Sequence, residues 1–203
     1  MGYSVANKMK NKEISLNTKR EFARALKKLL KKEPLNKITV CELLTLTNKS
    51  RPTFYYHFRD VPDLIKWTVQ DEIINLLEQS KGYEKWYDDL YQIFQYFAVN
   101  PTLGRAIYEN LDIKQFNAIF REPQNRILLG YIDEVISKEK LNVSQKDRDF
   151  IAHFFTGGFT EIIIDWLNNG QKETPEEMRD MFHRTQKDVI VHCLKMANQS
   201  HKS

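Results

Sequence analysis

Residues 39–58 read T-V-C-E-L-L-T-L-T-N-K-S-R-P-T-F-Y-Y-H-F, two short helical patterns joined by a tight turn. Thr39 and Glu42 make a T-x-x-E capping box, in which the hydroxyl and the carboxylate each satisfy an orphan backbone donor. Ile38 and Leu43 flank the cap at hydrophobic-staple spacing, and Val40, Leu43 and Leu44 give the helix one apolar face. Thr47-Asn48-Lys49 reads as the turn, because Asn tolerates a positive φ. Ser50 caps the second helix, and Pro52 falls in its first turn, where no intrahelical donor is lost. Phe54 and Phe58, four apart, share a face that points into a core. Arg51, Thr53, Tyr55, Tyr56 and His57 are left on the outer faces, a set of donors, aromatics and a cation that suits insertion into a DNA major groove. On spacing alone, an amphipathic helix pair inside an ordinary bundle fits the pattern equally well.

The charge distribution separates those two readings. Residues 1–60 hold 14 Lys and Arg against 5 Asp and Glu, a balance of +9, whereas the remainder of the 203-residue chain stands at −5. A basic first third on an acidic remainder is the footprint of a nucleic-acid-binding head on a body with another task. The 41% hydrophobic and 12% aromatic content is enough for a packed core. No apolar run approaches the length of a membrane span, and the N-terminus lacks the apolar segment of a secretory signal. Cys41 and Cys193 stand far apart without framework spacing, which fits a reducing cytoplasm.

Along the chain every periodic segment is helical, so the expected fold class is all-α, with about nine helices. Residues 1–15 are polar and basic without periodicity and read as a mobile arm. Phe22, Ala25, Leu26, Leu29 and Leu30 mark a helix from Asn17 to Lys32 that would brace the two short ones, completing a three-helix head. Asp60 caps a long helix to about Gln79, and Lys81-Gly82 breaks it. The body then offers Tyr83–Val99, an irregular stretch opened by Pro101 and Gly104, a short helix over Ile113–Phe120, and a break at Pro123. Arg126–Lys138 is apolar nearly all round, which predicts burial. Ser144 caps a helix ending at Asn168-Asn169-Gly170. Thr174-Pro175-Glu176-Glu177 starts the last one, whose stripe runs to Met196. Gly157-Gly158 would admit another helix closely. The domains so divided are a helix-turn-helix head over 1–60 and a ligand-binding and dimerisation bundle over 61–203.

Ser50, Thr53, Phe54, Tyr55, His57 and Phe58 match the pattern S-x-x-T-[LF]-Y-x-H-F, and through it the chain resembles the TetR family of bacterial transcription regulators. The resemblance is strong over about residues 17–80. The body segment F-F-T-G-G-F-T-E-I-I-I-D-W-L-N-N-G with E-T-P-E-E after it resembles, more weakly, a Gram-positive branch related to activators of dihydroxyacetone kinase operons. The resemblance implies that Thr53 and His57 bond DNA phosphates, that Tyr55 and Tyr56 contact phosphate, thymine methyls or base edges, and that Arg51 is the candidate for a guanine edge. Thr39, Ser50 and Arg59 would add phosphate bonds. Two positions depart from the pattern: Lys49 replaces an apolar residue before Ser50, and Val61 stands where a phosphate-binding Lys is usual, a loss that Lys49 and Arg59 are placed to offset.

The resemblance further implies a homodimer on a palindromic double-stranded operator, paired through the last two helices. Phe155, Gly158, Ile162, Trp166, Phe182, Val189 and Cys193 are the candidate dimer residues. Trp86, Tyr91, Phe94, Tyr108, Phe116, Tyr131 and Phe154 are candidates for a pocket holding an unidentified effector, although aromatics at helical spacing more often form core. Repression released by such an effector is the commoner family mode. The alternative is a coactivator whose body binds a partner protein. No catalytic motif, cofactor motif or metal-ligand spacing occurs, and the adjacent His192 and Cys193 point about 100° apart on a helix.

Overall fold

The computed structural model describes residues 2–78, 86–186 and 188–200, and the expected Lys81-Gly82 break lies outside them. The described residues are all-helical, in eleven α-helical segments. The chain divides into two compact units, Met1–Asp71 and Glu72–Ser203, so the division falls inside the fourth helix.

The first unit begins with α1 (Gly2–Leu30), followed by a 3-10 turn (Leu35–Lys37), α2 (Val40–Thr47), α3 (Arg51–His57) and the first part of α4 (Val61–Glu78). The expectation of an irregular arm over residues 1–15 is corrected: α1 runs unbroken from Gly2. Residues 9–14 of it are exposed, so no apolar stripe is needed there. It also has no Gly or Pro between Tyr3 and Glu33, and continuing an existing helix costs far less than starting one. Phe22, Leu26, Leu43, Phe54, Leu64 and Ile65 are fully buried and form the core of this unit. Phe22 meets Phe54 edge-on at 5.3 Å between ring centroids and Phe58 at 6.2 Å. Arg20 on α1 donates to Asp71 on α4 at 3.0 and 3.3 Å, a two-point pair.

The second unit contains α5 (Trp86–Ala98), α6 (Pro101–Asn110), α7 (Ile113–Phe116), a π-helical turn (Asn117–Arg121), α8 (Glu122–Glu139), α9 (Gln145–Asn168), α10 (Pro175–Gln186) and α11 (Val189–Ser200). Aromatic rings knit it: Phe94 lies 5.0 Å from Trp166 and 5.7 Å from Phe182, and Phe116 stacks on Phe120 at 4.4 Å. The stretch after Pro101 is helical, with Pro101 at the first helical position, where its missing N–H costs nothing. Gly104 lets that helix press against the end of α9: a Cβ there would stand 2.7 Å from Gln171 Nε2 and 2.9 Å from Leu167 Cδ2. Pro123 does not interrupt the chain either. The wider π turn just before it accommodates a residue that can neither donate nor tolerate the usual carbonyl packing. Within α8, Leu128 and Ile132 are buried while Asp133 is exposed, so this helix buries one face and not its whole circumference. The last expected helix is in two segments, α10 and α11. The Thr174–Glu177 capping box at its start is formed, with bonds of 2.8 and 3.2 Å.

Candidate nucleic-acid interface

Local chemistry fixes α2 and α3 as a rigid pair. Thr39 Oγ1 accepts from the Glu42 N–H at 3.3 Å, and the Thr39 N–H donates to Glu42 Oε2 at 2.8 Å. The Thr39 N–H and the Thr39 hydroxyl, each donating to Glu42 Oε2 at 2.8 Å, hold the Glu42 carboxyl below its usual range. Asn48 closes α2 in the left-handed region at φ 52°, ψ 38°. Ser50 Oγ then accepts from the Thr53 N–H at 3.3 Å and lies 2.8 Å from the Thr53 hydroxyl. The turn thus sets the direction of α3, and Phe54 and Phe58 lock its inner face against Phe22.

The opposite face is open. Tyr55 is 51% exposed and Tyr56 82%, and Thr39, Ser50, Arg51 and Arg59 are also exposed, with Thr53, Lys49 and His57 half-buried at the margins. Several of these groups already have partners. Arg51 Nη2 donates to Cys41 Sγ at 3.3 Å, which draws the guanidinium towards the first turn of α2. Lys49 pairs with Glu21 at 2.9 Å, so the residue that departs from the family pattern ties the turn to α1. Arg59 pairs with Asp63 at 3.6 Å, and its N–H donates to the same carboxylate. The His57 imidazole titrates below its ordinary value because it is partly buried and because the Lys19 ammonium lies nearby.

Beside α3 lies a groove of about 410 Å³ lined by Asn11, Lys12, Ser15, Leu16, Lys19, Tyr56 and Trp67. Reading residues 1–15 as an arm hid it. The available signal was the spacing of residues 11, 12, 15, 16 and 19, which places them on one face of any helix that reaches back this far.

The aromatic candidates in the body do not surround one space. Phe94 and Phe116 are buried against other rings, whereas Phe154 is 66% exposed and Tyr108 is exposed, which takes both out of any interior wall. The Tyr91 hydroxyl donates to Glu176 at 2.5 Å, and Tyr131 is half-buried on α8. The Trp86 side chain lies outside the described residues.

Among the candidate dimer residues, Phe155, Trp166 and Phe182 are buried within the chain itself, with Trp166 also donating to the Glu173 carbonyl at 3.0 Å. They cannot present themselves to a second copy, and their assignment is corrected. Ile162 and Val189 remain exposed, Cys193 is half-buried, and a Cβ on Gly158 would meet nothing within 4 Å. Phe150, at 70% exposed, and Phe154 join Gly158 and Ile162 in a stripe at four-residue spacing along α9. Both faces of α9 are apolar, so its sequence pattern did not say which one the chain keeps for itself.

No helix among the described residues is long and apolar enough to cross a membrane, and no group of three or more His, Cys, Asp or Glu gathers there at metal-binding distance. His153 accepts from Arg121 Nη2 at 2.6 Å.

Residues 84–188 match a family model, TetR_C_8, for the C-terminal region of transcriptional regulators. The chain belongs to the TetR family. This TetR-family regulator is 23% identical over 160 residues to the HTH-type dhaKLM operon transcriptional activator DhaS of Lactococcus lactis subsp. lactis (strain IL1403), a match covering 79% of this chain and 84% of that protein. The solved structure of a dihydroxyacetone kinase operon activator, DhaS, matches with a TM-score of 0.70 and 19% identity over 89% of this chain and 97% of that one. At that identity the likeness speaks for the fold alone.

Proposed function

We propose that the protein is a homodimeric, operator-specific transcription regulator that grips DNA through α3. The observation that carries this reading is the two-faced character of α3: Phe54 and Phe58 are buried, while Tyr55 and Tyr56 stand in solvent on a basic unit. Solvated aromatics are costly on a surface without a partner, and here they lie on the short second helix of a capped helix-turn-helix. In this assignment Thr53, His57, Ser50, Thr39, Lys49 and Arg59 hold phosphates and fix register. Arg51, released from Cys41, reads a guanine edge, and Tyr55 and Tyr56 contact bases or thymine methyls.

The second copy docks on the apolar stripe Phe150–Phe154–Ile162 of α9, beside the exposed Val189 and Met196 of α11. An uncovered stripe of that kind is what an isologous two-fold interface uses. Selection from a random duplex pool tests the assignment. It enriches an inverted repeat with half-sites about one helical turn, or a small multiple, apart. A pool that enriches no repeat rejects it.

Repression is the commoner mode in the family, yet both named relatives are activators, and activation is the mode proposed here. Deleting the gene then lowers transcription from the bound promoter, whereas a rise would restore the repressor reading. The effector is assigned to the C-terminal unit. Because Phe94 and Phe116 are committed to packing, a partner protein on its surface is favoured over a small molecule within that aromatic cluster.

A further inference from the structure

We infer that the groove between α1, α3 and α4 is a second DNA-backbone site, in which Lys12 and Lys19 clamp a phosphodiester flanking the bases that α3 reads. The inference rests on the DNA-binding reading above and adds to it a site formed by the helical extension of α1.

The lining has the chemistry of an anion receptor. Lys12 and Lys19 supply two ammonium groups, Tyr56 a phenol, Asn11 an amide and Ser15 a hydroxyl, with no carboxylate among the lining residues. A phosphodiester offers only acceptor oxygens, so it complements such a set. Neither lysine pairs with a carboxylate among the described residues, in contrast to Lys49 with Glu21. Lys19 is held instead by rings, 5.2 Å over Trp67 and 5.7 Å over Phe58. Cation–π contact fixes the position of an ammonium while leaving its positive charge available to an anion.

Continuity with the α3 surface selects DNA as the occupant. Tyr56 belongs to both places: it lines the groove and is the most exposed aromatic of α3. Lys19 also lies close enough to His57 for its charge to lower the imidazole's titration, so it faces the same margin of α3. The helical course of α1 before residue 16 is what brings Lys12 there, since Lys12 and Lys19 are seven residues, or two turns, apart on one face.

The test measures affinity for the selected operator and for a scrambled duplex between 50 and 200 mM salt, using the full-length wild type, Lys12→Gln/Lys19→Gln and a charge-matched control, Lys31→Gln/Lys32→Gln. Releasing one clamped phosphodiester from each chain of the dimer, two phosphates in all, lowers the salt slope by about two, so the affinity gap between wild type and groove variant shrinks about 12-fold across that range. Sequence preference stays as in wild type, the control keeps the wild-type slope, and helical circular dichroism confirms that α1 is intact. A groove variant with the wild-type slope overturns the inference while leaving operator reading standing. Equal losses in groove variant and control also overturn it, since they would reflect a general positive field. A wild type that does not distinguish operator from scrambled duplex removes the reading on which both rest.

Discussion

Replacing Phe54 by Ala separates packing from recognition on α3. The ring is fully buried, meets Phe22 edge-on at 5.3 Å, and lies 5.7 Å from Phe58. Truncating a buried Phe costs about 3–5 kcal/mol, including the aromatic pairs it breaks. A unit of this size has total stability near the lower end of the ordinary range of about 5–15 kcal/mol, so this loss removes most of it. Two units need not unfold together, which makes a single melting temperature a poor readout. Amide hydrogen exchange resolves the question locally. Protection in α1, α2 and α3 falls by about two to four orders of magnitude, at about 1.4 kcal/mol per order, while α9 keeps its protection. Phe54→Leu retains most of the apolar volume, costs about 1.5 kcal/mol and keeps operator affinity. Tyr55→Ala reverses the pattern, leaving protection unchanged and abolishing operator binding. Unchanged protection in Phe54→Ala, together with lost DNA binding, would refute this account by placing the ring on the DNA side of α3.

Three further outcomes follow from the same geometry. Gly104→Ala adds helix propensity worth about 1 kcal/mol but drives a methyl into Leu167 and Gln171, and the overpacking costs about 1–3 kcal/mol; denaturant titration therefore shows a net loss in the C-terminal unit, larger for Gly104→Val. Phe154→Asp, on an exposed position of α9, yields a monomer with native circular dichroism by light scattering, whereas an unchanged dimer moves the interface elsewhere. Burial and Lys19 lower the His57 pKa, so the unfolded chain takes up that proton more readily and the stability of the head declines as pH falls below about 6.5. A phosphate beside the ring opposes that shift, so operator affinity at constant salt rises as pH falls from 8 towards 6. His57→Gln removes the His57 contribution from both measurements.

The head was legible because its signals are local. The Thr39 and Ser50 caps, the Asn48 turn and the Phe54–Phe58 pair lie within twenty residues and agree with one another, and each forms as read. The errors came where local pattern is silent or ambiguous. Residues 9–14 are exposed and carry no apolar stripe, yet nothing in that stretch breaks a helix. Pro101 and Pro123 looked like stops, but one sits at a helix start and the other follows a π turn, distinctions that depend on neighbouring backbone. On α9, Phe155 and Trp166 alternate with Phe150, Phe154 and Ile162, so composition identifies two apolar faces without ranking them. Ranking requires knowing which side α5 and α10 occupy. A pocket is harder still, since core and cavity wall use the same residues: Phe94 reads alike in either role until Trp166 and Phe182 are seen against it.

The most direct test of the central claim, that α3 reads DNA as part of a dimer, is a fluorescence-anisotropy titration of promoter DNA flanking the protein's own gene. It is run at several salt concentrations with wild type and Tyr55→Ala. The account predicts sequence-specific binding by two chains per site, falling steeply with salt and lost in the variant. Weak binding that ignores sequence and is indifferent to Tyr55 would contradict it, and would mean that the exposed face of α3 serves something other than an operator.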